Sequence, residues 1–149
     1  TEKKVWLIMK VNNTNPLSLI ELCLACIIKN EIHNFTTAVT ILAEIGPDVK
    51  AFQSDAHLAS WAGLCPGSYE SAGIKKSSHI TQGNRYIKQA LTMSGLIAAH
   101  SKDNAFSSFY SKISQRGSKM KAVIACAHKL LRIIYKILAT HQEYDKEKC

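Results

Sequence analysis

The apolar residues between 119 and 141 recur at helical spacing, and this constrains the fold more than any other feature of the 149-residue chain. Apolar side chains at i, i+3, i+4 and i+7 form one stripe along a helix, and such a stripe is stable only when other elements bury it. The stripe consists of Met120, Val123, Ile124, Ala127, Leu130, Leu131, Ile134, Tyr135 and Leu138. The pattern predicts a long helix in a packed domain.

Four shorter segments show the same spacing: 35–45, 55–62, 84–102 and about 105–115. Gly46 followed by Pro47 is typical of a helix C-terminus, and Ser54 or Asp55 can cap the helix that follows. Ser118 can cap the long helix in the same way. For 84–102 the predicted apolar face is broad, consisting of Tyr86, Ile87, Ala90, Leu91, Met93, Ser94, Leu96 and Ile97. The predicted fold is a small all-α domain.

The segment from Gly63 to Gly83 has no helical period and contains four glycines and four serines. A connection of this length is unusual inside a compact domain, and such connections are usually functional or disordered. We therefore predict a long Gly/Ser-rich basic loop between helices.

Positive charge is concentrated in one part of the chain. Residues 75–136 contain 12 Lys and Arg and one acidic residue, Asp103, which gives this part a formal charge of +11 against +8 for the whole chain. A polyanion would relieve the self-repulsion, so nucleic acid is the first partner to consider. Backbone amides of the loop, Lys75, Lys76 and the helix N-terminus near Asn84 are candidates to hold phosphates. A solvated basic face that binds nothing is the alternative.

The five cysteines, an odd number, indicate reduced thiols in a cytoplasmic protein. Cys23 and Cys26 form a C-x-x-C within the apolar run 17–28, but no second pair follows at zinc-site spacing. We interpret the run as a buried helix face. It is too short to span a bilayer, it includes Glu21, and no signal-peptide cleavage pattern follows it.

Several motifs occur in a fixed order: EIG at 44–46, LASWAGLCPG at 58–67, ESAG at 70–73, GNRYIKQAL at 83–91 and RGSKMKAVIACAHKLLRIIYKIL at 116–138. Over roughly residues 36–141 this order resembles the C-terminal segment of insertion-sequence transposases of the IS110/IS116/IS902 type. The resemblance implies that 35–149 form the serine-bearing C-terminal domain. Residues 1–34 resemble no part of the family.

The resemblance implies DNA transposition, with Ser71 of ESAG as the nucleophile that attacks a DNA phosphodiester. It makes Lys75, Lys76, Arg85 and Lys88 the candidate DNA-binding residues. His79 is a possible proton shuttle, although we interpret it as an ordinary loop histidine. The implied partners are DNA, a guide RNA transcribed from the mobile element, and further copies of the chain. The apolar faces of 84–102 and 119–141 are candidates for that contact, but packing within one domain is the preferred interpretation.

This sequence departs from the family in two ways. Nothing in it resembles the acidic RNase-H-like domain through which full-length members are expected to hold Mg²⁺, so we expect no metal site or other cofactor in this chain. In addition, residues 32–37 lack the Pro and Gly of a DNA-gripping hairpin. We therefore expect a truncated transposase that does not cleave DNA alone. The alternatives are a catalytically inactive remnant that binds nucleic acid and a basic helical module that binds an acidic protein.

Overall fold

The computed structural model describes residues 35–46, 49–65, 69–71, 74–77, 80–101 and 104–140. These form five α-helices and a two-stranded hairpin. In chain order they are α1 (Phe35–Ile45), a short 3-10 helix (Val49–Ala51), α2 (Asp55–Trp61), β1 (Tyr69–Ser71), β2 (Ile74–Ser77), α3 (Arg85–Ala99), α4 (Asn104–Arg116) and α5 (Lys119–Thr140). The all-α prediction is confirmed, and the hairpin is a local structure inside the predicted long loop.

Helix α5 is the element on which the others pack. Ten of its 22 residues are buried, among them Cys126, Leu131 and Leu138. Helices α2, α3 and α4 and the 3-10 helix all pack against it, while α1 packs against α3. Burying a Leu or Ile side chain stabilises a fold by about 1.5–3 kcal/mol, so this stripe supplies much of the core. The long helix predicted at 119–141 is thereby confirmed.

The helix ends follow the capping residues expected from the sequence. The Ser54 side chain accepts the His57 amide at 3.1 Å at the start of α2. Gly46, with φ +83°, ends α1 and donates its amide to the Leu42 carbonyl at 2.9 Å. Gly63, with φ +72°, ends α2 with the two hydrogen bonds of a Schellman motif, Gly63 N to Ser60 O and Leu64 N to Ala59 O, both at 3.0 Å.

The predicted apolar face of α3 is partly wrong. Its buried residues are Ile87, Leu91, Ser94, Gly95, Ala98 and Ala99, whereas the exposed fractions of Tyr86 and Met93 are 66% and 53%. Leu96 and Ile97 are also exposed, as is Met120 at the start of α5. The physical reason is Gly95, where a Cβ would lie 2.8 Å from the Ala127 backbone nitrogen. Close backbone approach centres the buried face on Gly95, so the larger side chains to one side are left in solvent.

Polar contacts attach α2 and the chain before it to α5. The Arg132 Nε donates to the Asp55 carboxylate at 2.5 Å, and the Tyr135 hydroxyl donates to the Phe52 carbonyl at 3.1 Å. The hydrogen bond from Arg132 holds the pKa of Asp55 below its usual range. Burial, helped by Arg132, lowers the pKa of His128. Burial also raises the pKa of the Cys126 thiol to about 11, so this cysteine stays protonated and serves as a small core residue.

Among the helices described, none is long and apolar enough to cross a membrane. The apolar run 17–28, with Cys23 and Cys26, and the loop residue His79 lie outside the described residues.

We expect Gly95→Ala to lower the free energy of unfolding by about 1–3 kcal/mol, because its methyl group would push the α3 and α5 backbones apart. Urea denaturation measures this. Gly117→Ala is the matched control, since its Cβ would meet nothing closer than the Lys121 Cδ at 3.7 Å. Equal effects of the two substitutions would contradict the close contact of α3 with α5.

Candidate nucleic-acid interface

The two ends of the long loop meet through their backbones. At Gly63 a Cβ would lie 2.7 Å from the Gly83 nitrogen, and at Gly83 a Cβ would lie 2.6 Å from the Gly63 Cα. Flanking hydrogen bonds run from the Asn84 amide to the Trp61 carbonyl at 3.1 Å and from the Thr81 amide to the Cys65 carbonyl at 3.2 Å. Residues 63 and 83 therefore form the closed base of the loop.

Ser71 lies at the end of β1, in the hairpin that this base carries. The antiparallel register places Ser71 opposite Ile74 and Glu70 opposite Lys75, and Lys76 follows in β2. Sequence patterning missed the hairpin because its strands have three and four residues. Such short strands give hardly any alternation to detect. Ala72 and Gly73, which stand between the strands in the sequence, lie outside the described residues.

The first turn of α3 is capped from within the protein. The Asn84 side chain accepts the amides of Tyr86 and Ile87 at 3.0 and 3.2 Å, and its own amide donates to the Glu44 carboxylate at 2.7 Å. These bonds occupy donors that a phosphate would need and bring a negative charge to the same turn. The helix N-terminus proposed from the sequence therefore connects α1 with α3, and anion binding falls to side chains rather than to the backbone amides of this turn.

An open groove of about 540 Å³ runs along the outer face of α3. Arg85 and Lys88, two of the basic residues singled out from the sequence, both line it. Arg85 is exposed, whereas Lys88 is half-buried and donates from Nζ to the Thr81 carbonyl at 3.0 Å. The remaining lining residues are Gln82, Gly83, Gln89, Thr92 and Met93. None is acidic, so the groove offers cationic and amide donors to a phosphate backbone.

The structure thus joins Arg85 and Lys88 in one groove and places Ser71, Lys75 and Lys76 by backbone register in one hairpin. Gly83 belongs to both features, because it closes the loop and lines the groove. Gln89 and Thr92 were not among the predicted binding residues. Their spacing of four and seven residues from Arg85 nevertheless puts all three on one helix face. Among the described residues, no three His, Cys, Asp or Glu side chains are grouped to hold a metal ion.

Comparison with known proteins identifies relatives of this chain by sequence. The model of the Transposase IS116/IS110/IS902 family matches residues 34–111. Pilin gene-inverting proteins of Moraxella bovis and Moraxella lacunata are each 37% identical over 109 residues, covering 71% of this chain and 34% of the relative. The insertion element IS110 uncharacterized 43.6 kDa protein of Streptomyces coelicolor is 30% identical over 111 residues, covering 73% and 27%. The chain thus spans about a third of the length of these relatives.

We expect Gly83→Ala to disrupt the closed base of the loop and to lower the free energy of unfolding by about 1–3 kcal/mol. The new Cβ would meet backbone atoms of Ala62 and Gly63, which cannot move aside as a flexible side chain can. Urea denaturation measures the loss. Gly46→Ala serves as a comparison, since its φ of +83° strains an alanine but no atom lies within 4 Å of the new Cβ. A smaller loss for Gly83→Ala than for Gly46→Ala would show that the loop ends do not meet.

Proposed function

The chain belongs to the Transposase IS116/IS110/IS902 family, and we propose on this basis that it acts in DNA transposition or recombination. In this proposal it binds the DNA strand to be cut and supplies Ser71 as the nucleophile. Further parts of a full-length protein complete the reaction, as expected for a chain that spans about a third of its relatives.

The proposal rests on one observation. Gly63 and Gly83 form the closed base of the loop that contains Ser71, and Gly83 also lines the basic groove of α3. A DNA backbone held by Arg85 and the amides of Gln82 and Gln89 would run past the base of the loop. Phosphate contacts of this kind position a strand without reading its sequence. The groove thus supports a binding role, and Gly83, which lines it, is also one end of the loop that contains Ser71.

In the proposed step the Ser71 Oγ attacks the phosphorus of a phosphodiester. A new P–O bond to serine forms, the bond between phosphorus and the leaving sugar oxygen breaks, and the sugar oxygen takes up a proton. The serine proton passes to a base. Because the phosphoserine link keeps the energy of the broken bond, a sugar hydroxyl of another strand can attack it and restore the serine. Arg85 and Lys75 or Lys76 would stabilise the charge that develops on the phosphate oxygens.

In this proposal any Mg²⁺ is held by acidic residues of a further domain, as the family resemblance implies. A guide RNA transcribed from the element and association of several copies, each bringing one serine, remain parts of the proposal. Both rest on family membership.

DNA binding by the chain is expected to depend on phosphate contacts in the groove. Arg85→Ala should weaken binding to random-sequence duplex about three- to tenfold and should reduce the slope of log K against log salt by about one. Fluorescence anisotropy at several salt concentrations measures both quantities. Lys136→Ala, which removes an exposed cation from α5, should leave the slope within error. An unchanged slope for Arg85→Ala would remove the groove from the proposed interface.

The role of Ser71 can be tested in a chimera in which residues 34–140 replace the matching part of the Moraxella bovis protein. Among chimeras that support inversion of the pilin gene segment, Ser71→Ala should reduce inversion by at least about 1,000-fold, because alanine has no hydroxyl to form the covalent link. Ser77→Ala, which alters a serine of β2, should retain inversion. Inversion that survives Ser71→Ala would exclude Ser71 as the nucleophile.

A further inference from the structure

Four exposed basic side chains surround the turn between α4 and α5: Lys112, Arg116, Lys119 and Lys121. The first two lie four residues apart on α4, and the other two lie in the first turn of α5. We define these four residues as the basic turn. Neither the proposed nucleophile nor the groove of α3 includes any of them.

The positions of Lys119 and Lys121, and the closeness of Lys112 to Arg116, are unfavourable for the isolated protein. The N-terminus of a helix carries a partial positive charge, so Lys119 and Lys121 in the first turn of α5 destabilise it. Ser118 caps the helix by accepting the Lys121 amide at 3.3 Å. A Glu at the position of Lys121 would complete a capping box with Ser118, and the chain has a cation there instead. Lys112 and Arg116 repel each other as a like-charged i, i+4 pair.

Nothing in the described part of the chain compensates these charges. None of the four side chains has an ion-pair partner among the described residues. In the sequence, Asp103 is the only acidic residue between Glu70 and Glu143, and it precedes the start of α4, at the end away from Arg116. Arg116 lies in the last turn of α4, where the helix dipole favours a cation, so the uncompensated cost falls on Lys119 and Lys121 at the N-terminus of α5 and on the repulsion among the four charges. An external polyanion would neutralise them.

The basic turn is separate from the groove. Along α5, the Tyr135 hydroxyl reaches the Phe52 carbonyl, and the Phe52 ring lies 5.2 Å from that of Trp61, whose carbonyl accepts the Asn84 amide. The N-terminus of α3 therefore lies toward the end of α5 that contains Tyr135. Lys119 is at the other end, on the order of 20 Å away at 1.5 Å per residue.

We propose that the basic turn binds the sugar–phosphate backbone of duplex DNA at a distance from the cleaved bond. This proposal rests on the proposed function, because family membership is what makes DNA the polyanion. A duplex is favoured over single strands, since residues 112–121 contain no aromatic side chain on which unpaired bases would stack. The high charge density of a duplex suits four cations grouped around one turn.

The test compares DNA affinity with stability in the full 149-residue chain. The double substitution Lys119→Glu/Lys121→Glu should weaken binding to a 20-base-pair duplex by more than about tenfold at low salt. It should also raise the Tm of the free protein by roughly 2–6 °C, because it places acidic groups at a helix N-terminus. A purely structural role for these lysines would not produce these opposite changes.

The double substitution Lys112→Gln/Arg116→Gln leaves α5 intact. It should reduce the slope of log K against log salt by about two.

Lys136→Glu is the matched control, because it reverses an exposed cation of α5 far from the turn. Lys136→Glu should change affinity for duplex DNA by less than about threefold.

The inference is overturned if the double glutamate variant weakens DNA binding no more than this control does, or if the Tm of the double variant falls. It is also overturned if the double variant loses affinity for duplex RNA while its affinity for DNA stays intact. Wild-type chain that shows no salt-dependent binding to duplex DNA would instead overturn the DNA-binding part of the proposed function, and this inference with it. Normal binding by the double variant together with weakened binding by Arg85→Ala would overturn this inference alone.

Discussion

The contact between the backbones of Gly63 and Gly83 is the constraint on which the arrangement of the candidate site depends. A side chain at either position would meet backbone atoms at 2.7 Å or less, so the two ends of the loop can meet only as glycines. Their contact holds the two ends of a long connection together and so gives the loop a fixed base. It also sets the direction in which α3 leaves the loop, because the Asn84 amide is bound to the Trp61 carbonyl next to this contact.

Gly95 exerts a comparable influence inside the helical bundle. Because α5 approaches the α3 backbone at this residue, the buried face of α3 is centred there. Arg85 and Gln89 consequently face outward beside Tyr86 and Met93. The groove is thus a result of packing on the opposite face of the helix. Two backbone contacts, one at the loop and one between helices, together determine where the cations of α3 are presented.

Helix existence, type and boundaries could be predicted well from the sequence, because capping residues such as Ser54, Gly46 and Ser118 act locally. The orientation of α3 could not be predicted, since the period of apolar residues gives a broad face and the choice within it depends on a tertiary contact at Gly95.

The β1–β2 hairpin was not predicted, because its short strands leave no measurable alternation. Ser71 stays a prediction from the order of the motifs, because the chain has many serines and the chemistry of its neighbours does not single one out. The cap at Asn84 required Glu44, 40 residues away, and no local pattern shows such a pair.

The distribution of the acidic residues explains why the basic surface remains uncompensated. The two acidic side chains that the structure describes, Glu44 and Asp55, each join two helices: Glu44 binds Asn84 between α1 and α3, and Asp55 binds Arg132 between α2 and α5. Asp55 also lies in the first turn of α2, where the helix dipole favours a negative charge. Both carboxylates therefore bind side chains of the same fold, each where one helix meets another. The cations of α3, α4 and the start of α5 are left to interact with solvent or with a partner of opposite charge.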